Sequence, residues 1–273
     1  MKELLIEPGR AERNYWSDIW RYRELLYFLA WRDILVRYKQ TVAGVAWAVV
    51  RPFLTMIIFT VIFTRIAKLH SDTAVPYALL VMAGMLPWQF FSNSLSESSV
   101  SLIQNSNLVS KVYFPRLIVP AGSVITSFVD FAITLGLMGI MMGWYRFAPD
   151  WHLLALPFFV VLSFACSFGV GLWLAALNVE YRDFRYLVPF VVQFGLYVSP
   201  VGFSSSVIPS SWRILYSLNP MVGVIDGFRW CLFRGQSAIW FPGLLICIVL
   251  TFGICAGGIW YFRKMERTFA DVI

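Results

Sequence analysis

Charge is scarce in this chain. Only 14% of its 273 residues are Asp, Glu, Lys or Arg, where an ordinary soluble domain carries about 25%. Too little charge is available to cover the surface of a water-soluble fold of this length. Histidine is scarcer still: His70 and His152 are the only two, both in connectors between apolar runs, and neither stands at metal-ligand or nucleophile–base spacing. A catalytic constellation built on histidine is therefore excluded. Cys166, Cys231, Cys247 and Cys255 form no C-x-x-C pair, and three lie inside apolar runs, so packing is their expected role and neither a disulfide framework nor a metal site is expected. None of Lys2, Lys39, Lys68, Lys111 and Lys264 follows a glycine. The chain thus lacks the GxxxxGK[ST] loop that cradles ATP phosphates, and any energy it uses must come from a partner or an ion gradient.

What the chain has instead is apolar bulk. Hydrophobic residues make up 59% of it, aromatics 18%, and the mean hydropathy is +0.70. These values specify an all-α integral membrane protein, since a helix of about 20 apolar residues satisfies its own backbone across a bilayer. The net charge of +7 points to membrane topology rather than to nucleic acid. Two regions follow: residues 1–40, a polar tail and an interface helix, and residues 41–273, the transmembrane domain.

Charges run through Trp16 to Lys39, so no cleavable signal is expected there. At helical spacing Trp16, Ile19, Trp20, Tyr27, Trp31, Ile34 and Tyr38 fall opposite Asp18, Arg21, Arg32 and Lys39. That is the pattern of a helix lying on the membrane surface, with Leu25, Phe28 and Leu29 on the other side available to protein. A first crossing begins near Val42, with Arg51 its only charge. Five more are expected, over Pro76–Leu102, Leu117–Tyr145, Leu153–Leu177, Leu187–Gly202 and Phe241–Phe262. Six crossings place both termini on one side. Taking that side as cytoplasmic puts sixteen basic residues inside and six outside, the asymmetry that sets orientation.

The second crossing carries Gln89, Ser92, Asn93, Ser96, Glu97, Ser99 and Gln104 as one stripe at helical spacing. Such a stripe faces either neighbouring helices or a wet path, because lipid offers it no partners. After it, Gln104–Arg116 sets apolar Leu108, Val109, Val112, Tyr113 and Phe114 beside Asn107, Lys111 and Arg116, the composition of either a compact connector or a small docking surface. Before the last crossing, Pro200, Pro209 and Pro220 divide an apolar stretch into two short pieces, Ser210–Leu218 and Met221–Phe233. Both are too short to span, so two re-entrant or interfacial helices are expected.

RYKQTVAGVAWAVVRPFL, MLPWQFF, LVSKVYFPR, LNVEYRDFRY and LNPMVGVIDGFR, in that order among the six crossings, resemble the permease subunit of type-2 ABC exporters for lipid-linked cell-surface polysaccharides: O-antigen, capsule and teichoic acid. The resemblance runs from about Tyr15 to the end. It implies a homodimer of permeases in the bacterial inner membrane, two ATP-binding cassette subunits beneath it, and a lipid-linked polysaccharide as cargo, O-antigen before capsule or teichoic acid. It further implies that Tyr15–Lys39 and Gln104–Arg116 meet the ATPase and that Ser210–Phe233 forms an external gate, with Trp212, Arg213, Asp226 and Arg229 as its candidate residues and both pieces moving on Pro209 and Pro220. Because sugar rings stack on aromatic faces, Trp88, Phe91 and Tyr197 are candidates for the sugar path. A competing class, the ion-coupled carrier, would use Glu97 and Asp130 as membrane carboxylates.

Overall fold

The computed structural model describes residues 15–39, 44–66, 75–181, 183–237 and 239–269. Among these every regular element is helical. Two N-terminal helices, α1 (Tyr15–Arg21) and α2 (Arg23–Lys39), precede α3 (Gly44–Val61), which runs on into a wide turn at Ile62–Ile66. The central helix is α4 (Tyr77–Gln104), followed by a short α5 (Ser106–Lys111). Helix α4 packs against α6 (Ile118–Trp144), α7 (Leu156–Glu180), α3, α8 (Phe184–Val198) and α10 (Pro220–Leu232), while α11 (Phe241–Met265) lies on α7 and α10, and a short α9 (Arg213–Tyr216) precedes α10.

Among the described residues, four stretches are long and apolar enough to cross a membrane: Ala46–Arg65, Ile118–Trp144, Trp151–Glu180 and Phe241–Met265. The other two expected crossings fall outside this set for opposite reasons. Helix α4 has 28 residues, about 42 Å at 1.5 Å per residue, but its run of serines makes it polar. Helix α8 is apolar but has only 15 residues, about 22 Å, short of a 30 Å core. The expected start of the first crossing near Val42 lies outside the described residues.

Small residues let the helices approach closely. A Cβ added at Gly169 would lie 2.7 Å from the Cys255 Cα, and one at Gly258 would lie 2.4 Å from the Gly169 carbonyl oxygen, so α7 and α11 touch backbone to backbone. On its other side α7 presents Gly171, where a Cβ would come within 2.0 Å of Ser98 Oγ on α4. Asn178 Nδ2 also donates to the Ser99 carbonyl oxygen, 2.7 Å away. Close backbone contact and short polar side chains join helices where the hydrophobic effect gives no preference for helix over lipid.

Two apolar clusters result. The larger one joins α4, α6, α7 and α10 through residues such as Leu79, Phe90, Phe131, Phe159 and Phe228. The smaller, at the α5 end, gathers Leu102, Val109, Phe114, Ile118, Leu172, Phe262 and Phe269. Helix α10 is part of the core: Val224, Ile225 and Phe228 are fully buried. Of the two pieces expected as re-entrant or interfacial helices, Met221–Phe233 is packed into the bundle while Ser210–Leu218 is mostly exposed. Local anchoring positions α10. Asn219 accepts from the Met221 amide at 3.0 Å and donates to Ser199 Oγ at 2.9 Å. With Pro220 at the first helical position, this fixes where α10 begins against the end of α8.

Candidate functional site

The end of the bundle that carries α5 is built on one small core. Val109 is buried in it, Leu108 is half-buried, and Asn107, Lys111 and Tyr113 are exposed. The five candidate coupling residues thus divide into one that holds the turn in place and others that face outward. Several side chains brace the turn. Arg32 of α2 donates to Asn105 at 2.9 Å, and Asn105 Nδ2 donates to the Ser101 carbonyl oxygen at 2.9 Å. The Arg116 amide donates to the Glu266 carboxylate at 2.7 Å, and its guanidinium reaches the Glu266 carbonyl oxygen. Burial pushes the Glu266 carboxyl above the usual carboxylate range, against the opposing pull of the Arg116 amide. Arg263 stacks over Tyr15, 4.6 Å from the ring centre. Between these groups lies a cleft of about 570 Å³ floored by Phe114 and Pro115 and rimmed by Tyr113, Arg263 and Lys264.

Helix α2 lies along α6, with Leu26, Leu29 and Ala30 against Gly122. Trp16 and Trp20 of α1 and Tyr27 and Trp31 of α2 remain exposed, on the side read from the sequence as the membrane-facing one. Near the end of α2 Arg37 pairs with two carboxylates at once, Asp130 of α6 at 2.5 Å and Glu97 of α4. The Tyr38 hydroxyl also donates to Asp130. Both acidic groups suited to ion coupling are therefore paired with one guanidinium, which ties α2, α4 and α6 together. Sequence spacing did not show this, because the partners of Arg37 lie 60 and 93 residues away.

From Leu79 to Leu102, α4 is buried at every position except Gln89, Asn93, Ser96, Glu97 and Val100. The four polar-stripe candidates thus share the single open face of an enclosed helix. The serines divide from them: Ser94, Ser98 and Ser99 are buried, so the polar character of α4 serves helix contact on one side and an open face on the other. Trp88 and Phe91 are ring neighbours, 5.5 Å between centres, and both are sealed inside the chain. A Cβ at Gly195 would lie 2.6 Å from the Trp88 ring, so that bare position on α8 makes room for the indole.

Tyr197 is different. It belongs to a ladder on α8 comprising Tyr186, Phe190, Phe194 and Tyr197, each 59–80% exposed. Phe190 and Phe194 stack with centres 6.0 Å apart and planes 10° from parallel. Spacings of four, four and three residues put all four rings on one face. That spacing was readable in the sequence, yet among so many aromatics only Tyr197 stood out.

At the opposite end, Arg229 is the largest fully buried side chain. Its guanidinium donates to the carbonyl oxygens of Phe203 at 2.8 Å, Val201 at 3.0 Å and Leu80 at 3.3 Å. Gly84 gives it room, since a Cβ there would meet the guanidinium at 2.9 Å. Of the other gate candidates, Trp212 is exposed, while Arg213 and Asp226 line a small cleft beside α10. Arg229 is thus a strut joining α10 to α4 and to the segment after α8.

Residues 24–233 match the family described as ABC-2 type transporter. The chain is 25% identical over 257 residues to an O-antigen export system permease protein RfbA of Klebsiella pneumoniae, a match covering 92% of this chain and 95% of that protein. It is 27% identical to the protein of the same name from Myxococcus xanthus, over 78% of this chain and 81% of the relative. Similarity also extends to the capsule polysaccharide export inner-membrane protein CtrC of Neisseria meningitidis serogroup B, 24% identical over 61% of this chain and 64% of that protein. A match over more than half of its length, on a bundle of apolar helices, means that the chain belongs to the ABC-2 type transporter membrane family.

Proposed function

We propose that this chain is the membrane permease of an ATP-powered exporter of lipid-linked polysaccharide, O-antigen by preference. Two copies work with two ATP-binding cassette subunits that supply ATP and Mg. It sits in the bacterial inner membrane with six crossings, α4 and α8 completing the four apolar ones, and with both termini cytoplasmic. The observation that carries this reading is the α8 ladder. Four aromatic rings exposed along one face of a half-length apolar helix offer a sliding surface for sugar rings, whose C–H faces stack weakly on each ring in turn. Weak repeated contact suits a polymer, because tight binding at one position would stall it. The open polar face of α4 supplies hydroxyl and amide partners on the same path.

Export names among the relatives support a polysaccharide cargo. The broader similarity to O-antigen permeases than to the capsule protein favours O-antigen. The ion-coupled alternative loses its motive, since Glu97 and Asp130 are both held by Arg37.

Replacing Phe190 and Phe194 together by alanine is expected to slow export about 3- to 10-fold while leaving the amount of assembled complex unchanged. Parallel losses of transport and abundance would make the ladder a lipid-facing or packing surface instead.

The outward side of α5 is the docking surface for the ATPase, with α1 and the adjacent cleft beside it. Lys111→Glu combined with Tyr113→Asp is expected to leave ATP hydrolysis running while export falls more than about tenfold. Val109 is unsuitable for this test, because a charge there breaks the core beneath the turn. Normal export by the double variant would reduce the turn to a connector.

A further inference from the structure

At the end opposite α5, the segment 204–217, α10 and the start of α11 enclose a cleft of about 290 Å³. Ligand pockets run from about 300 to 1,000 Å³, so this one suits a single small ring rather than a length of polymer. We propose that it is a binding subsite for one neutral pyranose unit; this rests on the polysaccharide reading above.

The lining carries the assignment. Ser205, Arg213, Tyr216, Asp226, Gln236 and Trp240 all border the cleft. The set holds one carboxylate and one guanidinium, so it offers no net charge to an anion or a cation. Hydroxyls and an amide, each able to donate and accept, match the dual character of sugar hydroxyls. The Tyr216 hydroxyl is buried and has no partner among the described residues. An unmade hydrogen bond of that kind is costly, and a group entering the cleft would complete it once the α9 segment shifts to uncover the hydroxyl. Trp240 provides the apolar wall. A Cβ at Gly243 would lie 2.6 Å from its ring, so the bare helix backbone seats the indole against α11.

Rigidity is distributed to suit capture. Asp226 stands one helical turn before Arg229, whose bonds to three carbonyl oxygens fix α10. The facing wall, by contrast, is superficial, with Trp212, Ile214 and Leu215 exposed. A positioned carboxylate and indole thus face a segment, carrying Arg213 and Tyr216, that is able to adjust around a ring.

The test uses the assembled permease–ATPase complex in lipid nanodiscs, probed by saturation-transfer NMR. The probes are the methyl glycosides of glucose, galactose, mannose and rhamnose, each at about 10 mM, in keeping with a millimolar site. At least one is expected to receive saturation on its ring C–H protons. Tyr216→Phe, which removes one oxygen only, and Asp226→Asn should each cut the transfer at least about threefold, and Trp240→Ala should abolish it, whereas Trp144→Ala, at an exposed position on α6, should not change it. No transfer to any of the four glycosides, or transfer indifferent to the first three substitutions, overturns the subsite. Export of polymer by the same complex is measured in parallel. Export without transfer defeats only the subsite, whereas a complex that moves no polysaccharide with ATP defeats the wider reading.

Discussion

Replacing Arg229 by methionine is expected to lower the stability of the folded permease by about 3–5 kcal/mol, seen as a large fall in the melting temperature of detergent-solubilised complex. The side chain is nearly the size of arginine's stem, so little volume is lost. What is lost is the donor set for the carbonyl oxygens of Leu80, Val201 and Phe203. Each buried acceptor left without a donor costs about 1–3 kcal/mol, partly offset because a cation no longer has to be buried. Arg229→Lys keeps the charge but lacks the planar fork that reaches three separate segments, and its melting point should fall between wild type and Arg229→Met. A lysine variant as stable as wild type would show that charge, not the fork, is what the site requires. The same bonds bear on gating. Moving α10 away from α4 would break them together, so any opening at this end belongs to the segment around Trp212 rather than to both short pieces on proline hinges.

The second large effect is expected at Arg37. Arg37→Ala leaves Glu97 and Asp130 as two unpaired carboxylates close together at the junction of α2, α4 and α6. Both retain partial exposure, which screens the cost, so the expected loss is about 2–3 kcal/mol, less than for a fully buried pair. It should appear as reduced yield and reduced thermal stability of the complex. The carboxylates themselves are the source of the penalty. Adding Glu97→Gln and Asp130→Asn to Arg37→Ala is therefore expected to recover much of the loss, with a favourable coupling energy in the mutant cycle. Failure of that rescue would mean that Arg37 acts through packing of its stem and not through its charge.

Much of this architecture was legible because membranes impose simple rules. Long apolar runs gave α3, α6, α7 and α11, and the spacing of Trp16, Trp20, Tyr27 and Trp31 marked the side of the N-terminal helices that stays exposed. The polar stripe on α4 was readable in part: Gln89, Asn93, Ser96 and Glu97 share the open face, whereas Ser92 and Ser99 of the same stripe are buried. Failures came where a distant partner decides. Prolines and a short length left Met221–Phe233 open between a re-entrant and an interfacial helix, and nothing local showed that Arg229 would be satisfied by carbonyl oxygens of residues 80, 201 and 203. Trp88 and Phe91 stood out as rings near polar positions, but Gly195, more than a hundred residues on, supplies the space that buries Trp88. The partners of Arg37 were invisible for the same reason. Periodicity reports which face of a helix is apolar, whereas the identity of the group opposite is fixed only by the packed bundle.

The central claim is that ATP hydrolysis by a separate subunit drives polysaccharide through a pair of these chains. Its most direct test is export in sealed proteoliposomes containing the permease and its ATPase, loaded with lipid-linked polymer on the ATPase-accessible side, with a protonophore present. The account predicts polymer appearing on the far side only with hydrolysable ATP, at a rate unaffected by collapse of the proton gradient. Export that stops when the gradient is collapsed and continues without ATP would contradict it, and would return Glu97 and Asp130 to the role of ion-coupling carboxylates.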